Sequence, residues 1–180
     1  MANALTAVRL LLVIPLGLLV ASADPRAPMF AALLMLVAIV TDLADGPIAR
    51  RTGTASAFGG TFDHTTDFFF VVSGMTGGVV VGAVPWILPV LVVTAFTQYF
   101  VDSYWLHGQR RLRGSKLGRY NGILYFVPTS GVILVRLGLA FLSPAVTVVC
   151  WLLVLSTCVS IGERLTLLWA SRRTAPGSSS

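Results

Sequence analysis

Four aspartates share one short stretch, 42–67, between two apolar runs. Asp42 and Asp45 are three residues apart, and Asp63 and Asp67 are four apart. The chain holds only six aspartates in all, the others being Asp24 and Asp102. On a helix, either spacing puts both carboxylates on one face. Two antiparallel helices joined by a loop at 51–57 would turn these faces toward each other. Carboxylates beside a bilayer are costly and usually mark function, and a divalent cation is the simplest compensation. Oxygen-only ligands suit Mg²⁺, Mn²⁺ or Ca²⁺. Four carboxylates can hold two such ions, an arrangement suited to in-line displacement at phosphorus. Capping of helix ends or exposure to bulk water would account for one aspartate but poorly for four at these spacings.

The elements that must position them are apolar helices. The chain of 180 residues is 56% hydrophobic and 11% charged, with a mean hydropathy of +0.84. Apolar runs of about 20 residues, each long enough to cross a bilayer as a helix, recur at roughly 6–23, 28–49, 58–82, 85–107, 120–142 and 145–170. Gly- and Pro-bearing breaks such as ASADPRAP, VGAVP and FLSPA separate some of them. Lys and Arg collect in cytoplasmic loops. Arg9, Arg50, Arg51, Arg110, Arg111, Arg113, Lys116, Arg119, Arg172 and Arg173 all fall on one side of a six-helix arrangement. The expected fold is therefore an all-α membrane protein with six transmembrane helices and both termini cytoplasmic. Residues 1–171 form one six-helix domain and 172–180 a short polar tail. The net charge of +6 reads as topology and attraction to anionic lipid, and no nucleic-acid partner is expected. Cys150 and Cys158, about 12 Å apart along one helix, read as packing residues beyond disulfide reach. Arg136, near the outer end of the fifth run, is expected to snorkel outward.

The stretch as a whole reads Asp42-x2-Asp45-Gly46-x2-Ala49-Arg50-x8-Gly59-x3-Asp63-x3-Asp67. It resembles the signature of the CDP-alcohol phosphotransferase family, membrane enzymes that make phospholipids. Asn3-x-Leu5-Thr6-x2-Arg9, followed by Pro15, is similar to the family's segment leading into its first span. For that reason the first apolar run is expected to be retained rather than cleaved as a signal peptide, although its A-x-A-like end fits either reading. The resemblance implies a reaction in which a CDP-lipid such as CDP-diacylglycerol passes its phosphatidyl group to an acceptor hydroxyl and CMP leaves. It implies Asp42, Asp45, Asp63 and Asp67 as ligands of two Mg²⁺ or Mn²⁺ ions, with Asp67 also the general base. It implies Asp45, Gly46, Ala49, Arg50 and Gly59 at the nucleotide. It further implies a multi-pass protein of the cell membrane, with its active site on the cytoplasmic side, working as a homodimer.

The acceptor side departs from the family's branches. Some branches carry Lys after the fourth aspartate, where this chain has Phe68. The loop after the fourth run reads RRLRGSKLGRYNG rather than Gly-Lys-x-x-Thr. Its basic residues could hold a phosphorylated acceptor such as glycerol 3-phosphate, because Arg pairs well with phosphate oxygens. Arg113, Lys116 and Arg119 are the candidates there. Glu163 and Arg164, inside the last run, join them as intramembrane ionisable groups, or else pair with neighbouring helices. Asp102 and Gln98 lie similarly in the fourth run. His64, between Asp63 and Asp67, is expected at the entrance of the site, and His107 at the membrane interface. A different class of function, a divalent-cation carrier using the same acidic cluster, would call for ionisable residues along a transmembrane path. Here the acids gather at one border.

Overall fold

A computed structural model describes residues 2–51, 57–101 and 116–173, with side chains described for 6–44, 59–101 and 120–166. Every element in these residues is helical: α1 (Ala2–Ala21), α2 (Ala27–Arg51), α3 (Ala57–Val80), α4 (Ile87–Val101), α5 (Lys116–Leu124), α6 (Phe126–Arg136) and α7 (Ser143–Arg173), with a 3₁₀ turn at Ala140–Leu142. The turns between them follow local chemistry. Before α2, the Asp24 side chain accepts a hydrogen bond from the Arg26 N–H at 2.8 Å, and Pro28 stands in the first helical turn, where its missing N–H costs nothing. The α3–α4 turn closes on Gly82, whose φ of 71° is a left-handed conformation that glycine adopts freely. There the Gly78 carbonyl accepts from the Ala83 N–H at 2.9 Å.

The fifth apolar run is not one uninterrupted helix. It divides at Tyr125 into α5 and α6 and ends at Arg136, short of the expected 142. Pro128 has no N–H to offer the Leu124 carbonyl. The Tyr125 N–H still reaches the Asn121 carbonyl at 2.9 Å, and Tyr125 keeps helical angles, φ −64° and ψ −16°, so the chain runs on in the same sense. The early end falls at Gly138, with φ 112°.

The outside of the molecule is more apolar than water tolerates. Among the described residues two helical stretches are long and apolar enough to cross a membrane, over Ala27–Ala44 and Ala140–Thr166, yet only 28% of each window is buried. A core helix of a soluble protein would be covered. Thr6–Ala21 and Ile87–Val101 are shorter apolar helices. Large apolar side chains such as Leu11, Ile14, Leu18, Phe141 and Leu155 stand exposed, and a surface this rich in large apolar side chains suits lipid better than water. The exposed threonines Thr76, Thr94 and Thr147 return their hydroxyls to the carbonyls of Val72, Val90 and Ser143, as a hydrocarbon surrounding without water requires. The chain is a membrane protein.

The interior is built on α1. It packs chiefly against α3 and then α2, while α7 covers α4, α5 and α6. Leu16, Val20, Met35, Phe70, Met75, Leu88, Val132 and Cys150 form the buried core. The α1–α3 seam depends on small residues, as membrane helix pairs commonly do. At Gly77 an added Cβ would stand 2.6 Å from the Gly17 carbonyl oxygen, and the Ser73 hydroxyl donates to the Val13 carbonyl at 2.6 Å. Arg136, expected to reach outward, finds protein acceptors for its charge. Its guanidinium donates to the Val20 and Ser22 carbonyls at the end of α1. Those carbonyls lack helical partners, so they compete well with the membrane interface for the charge.

Candidate functional site

The close seam between α1 and α3, and the packing of α2 on α1, bring three side chains from two helices onto a fourth from the third. Asp63 and Asp67 share one face of α3, and Asp42 lies in the later turns of α2. Arg9 points from α1 into the space among them. Its Nη1 lies 2.9 Å from Asp63 Oδ1 and 3.3 Å from Asp42 Oδ1, and it also pairs with Asp67 Oδ1. One carboxylate oxygen from each aspartate lies within 4.8 Å of the others. Arg9 is 1% exposed, while the Asp67, Asp63 and Asp42 side chains are 22%, 33% and 47% exposed. The group thus grades from a buried cation to acids open on one side. Three carboxylates against one guanidinium leave a formal charge of −2 when all are ionised, which a divalent cation would balance.

Asp42, Asp63 and Asp67 do come together, but around Arg9 of α1, with α2 and α3 each packed on α1 rather than on each other among the described residues. The fourth, Asp45, lies on α2 with its side chain outside the described residues, as do those of Gly46, Ala49 and Arg50. Gly59 lies in the first turn of α3. Arg9 is the member that sequence reading missed. It is counted there as a topology charge, although its place in the Asn3-Leu5-Thr6-Arg9 segment was the available signal.

A cavity of about 910 Å³ opens beside the acids, and Arg9, Asp42, Asp67 and His64 lie on its wall. His64 is exposed at this border, in keeping with an entrance position. The wall continues with Phe68, Phe96 and Tyr99. Phe68 and Phe96 stack with ring centres 3.9 Å apart, so this part of the wall is an aromatic face. Farther round stand Gln98, Tyr125, Ser160 and Arg164. Arg164 lies 4.9 Å from the centre of the Tyr99 ring, within the reach of a cation–π contact. Its Nη1 is buried with no hydrogen-bond acceptor among the described residues, and the same holds for Gln98 Oε1 as an acceptor without a donor. Tyr125, at the division between α5 and α6, hydrogen-bonds the Thr157 hydroxyl at 2.8 Å.

The remaining acceptor candidates separate. Glu163 is exposed and, unlike Arg164, is not on the cavity wall. Successive residues of a helix point about 100° apart, and of this pair Arg164 is the one that faces the cavity. Lys116 and Arg119 lie on α5 with side chains outside the described residues. Arg113, Asp102 and His107 lie outside the described residues altogether.

Against known families, the model described as CDP-alcohol phosphatidyltransferase matches residues 1–162. The chain belongs to the CDP-alcohol phosphatidyltransferase family. No curated protein and no solved structure matches it. The matched span takes in Arg9, the four aspartates and the cavity wall as far as Ile161 of α7, well beyond the stretch that carries the aspartate signature. In this member of the family, Asp42 and Asp67 of the acidic triad lie on the wall of the large cavity together with Arg9. Its family ties the chain to phosphotransfer in phospholipid synthesis, with a CDP-alcohol donor and an alcohol acceptor.

Proposed function

We propose that the chain transfers the phosphatidyl group of a CDP-lipid, CDP-diacylglycerol or a close relative, to an acceptor hydroxyl with release of CMP. The observation that carries this reading is the convergence of Asp42, Asp63 and Asp67 around one cationic nitrogen, with Arg9, Asp42 and Asp67 lining a large cavity, in a chain of this family. The donor set fits Mg²⁺ or Mn²⁺: it is all carboxylate oxygen, the oxygens stand within 4.8 Å of one another, and a positive nitrogen already lies at their focus. Asp42, Asp45, Asp63 and Asp67 would hold two ions. Such ions, when bound, neutralise diphosphate charge and polarise the reacting phosphorus.

The chain's own residues account for the rest of the reaction. Asp67, the least exposed of the three acids, takes the proton of the acceptor hydroxyl as general base. The hydroxyl oxygen forms a bond to the phosphorus nearer the lipid while that phosphorus releases the CMP oxygen. Asp45, Gly46, Ala49, Arg50 and Gly59 line the nucleotide. The aromatic wall of Phe68, Phe96 and Tyr99 keeps water from one side of the reacting groups. Arg164, with an unspent buried donor, takes the anionic part of the acceptor, with Lys116, Arg119 and Arg113 at the approach. Glu163 lies on the outer side of that helix and has the weaker claim. A phosphorylated polyol such as glycerol 3-phosphate suits this basic side.

The same reading has six spans, residues 1–171 as one domain, a short polar tail at 172–180, and both termini and the acids at the cytoplasmic face of the cell membrane. A homodimer rests on the family resemblance alone. The deciding experiment supplies purified protein in detergent with CDP-diacylglycerol, Mn²⁺ and a panel of acceptors, and identifies products by mass. CMP with a phosphatidylated acceptor is expected. Cation flux in liposomes without CMP from any acceptor would instead establish the carrier.

A further inference from the structure

Arg9 stands where a metal ion would. A single nitrogen, Nη1, serves Asp42, Asp63 and Asp67 at once, and the three carboxylate oxygens lie within 4.8 Å of one another. Ligands of one Mg²⁺ at about 2.0–2.1 Å stand at most about 4.2 Å apart, so these oxygens need draw in by no more than a few tenths of an ångström to hold one ion. A guanidinium nitrogen and a divalent ion cannot share that point, by size and by charge. We propose that Arg9 is a tethered cation that holds the acidic triad together when no metal is bound, and that an entering divalent ion displaces its Nη1 from the carboxylates. The inference rests on the metal-site reading of the proposed function.

Two features make the exchange feasible. Arg9 is 1% exposed yet is among the residues lining the 910 Å³ cavity, so a displaced guanidinium has that space beside it to turn toward. That space is where an anionic ligand would lie, and a guanidinium pairs with phosphate as readily as with carboxylate. Metal entry would then turn a donor that served carboxylates toward the ligand's phosphates. The exchange also explains why so costly a buried charge suits this place: before metal arrives, three acids from α2 and α3 would otherwise repel one another at the seam those helices must form with α1. In the metal-free state Arg9 acts through the acids, as a positioning residue.

The test is Mn²⁺ binding by the full-length protein in detergent micelles, measured by calorimetry, with thermal unfolding in EDTA and in excess Mn²⁺. Arg9→Met removes the competitor. It should bind Mn²⁺ about ten- to hundredfold more tightly than wild type, the range that charge-assisted hydrogen bonds span. It should also melt below wild type in EDTA and regain most of the loss with Mn²⁺. Arg9→Lys, shorter and without the planar fork, should fall between the two in affinity. If Arg9→Met folds only with Mn²⁺ present, the ion has replaced the guanidinium and the proposal stands. Unchanged or weaker Mn²⁺ binding by Arg9→Met overturns it, as does failure of both variants to fold even in excess Mn²⁺. If neither wild type nor the variants bind Mn²⁺, the metal-site reading itself fails, an outcome distinct from the first.

Discussion

Gly77→Ala tests whether the α1–α3 seam is as close as the fold requires. The added Cβ would stand 2.6 Å from the Gly17 carbonyl oxygen, 2.8 Å from Val20 Cβ and 3.1 Å from the Ala21 nitrogen. Ordinary contact begins at 3.4 Å, so the first shortfall is 0.8 Å. Two of the three obstructing atoms are backbone, and they cannot move unless the whole of α1 moves. Overpacking of this kind costs about 1–3 kcal/mol. Alanine also gains up to about 1 kcal/mol over glycine in a helix, so the clash should be read against a control without one. Gly162→Ala supplies it: the residue lies in α7 and a Cβ there meets nothing within 4 Å. Both variants gain the same helix propensity, and only Gly77→Ala clashes. For a chain of this size, roughly 2–4 °C of melting temperature corresponds to 1 kcal/mol. Gly77→Ala should therefore melt roughly 2–12 °C below Gly162→Ala when unfolding is followed in detergent by circular dichroism. Equal melting temperatures, or a higher value for Gly77→Ala, would refute the seam and with it the geometry that delivers Arg9 to the acids.

Asp67→Asn should lower CMP release about 10²–10⁴-fold, the usual contribution of a general base, with helicity unchanged; undiminished turnover removes Asp67 from that role. Arg164→Met should raise the KM for a phosphorylated acceptor about tenfold, about what one lost hydrogen bond to a charged group is worth, and leave the KM for the CDP-lipid in place. An effect on the donor KM alone would assign Arg164 to the donor. Arg136→Met leaves the Val20 and Ser22 carbonyls without their donors and should cost about 1.5–3 kcal/mol, seen as a lower melting temperature; no change would mean that water or lipid head groups cap α1 equally well.

What could be read from sequence follows the range of the forces involved. The aspartate pairs were legible because helical periodicity alone puts residues three or four apart on one face, and apolar length alone identifies helices for a bilayer. Arg9 was not, since the positive-inside tendency registers a charge near a membrane border without saying whether the side chain reaches lipid or protein. Its direction is set by how closely α1 meets α3, through glycines far along both helices. Arg136 is the same case with the opposite default. Snorkelling is the rule for an isolated helix, and only the position of α6 beside the end of α1 offers better acceptors. Glu163 and Arg164 had to diverge on any helix, but which one faces inward depends on how α7 packs against α4. Phe96 and Tyr99 carry no motif at all; the cavity exists only once α3, α4 and α7 are assembled. The division at Tyr125, by contrast, follows from Pro128, which was visible in the sequence.

The central claim is that Asp42, Asp63 and Asp67 jointly hold the cations on which phosphotransfer depends. The most direct test is the rate of CMP release from CDP-diacylglycerol as Mn²⁺ is returned to chelator-treated protein, for wild type and for Asp63→Asn. No release without metal, full recovery in wild type, and a much higher Mn²⁺ requirement or no recovery in Asp63→Asn are expected. Full-rate CMP release from the metal-stripped protein, or identical Mn²⁺ curves for the two proteins, would contradict it.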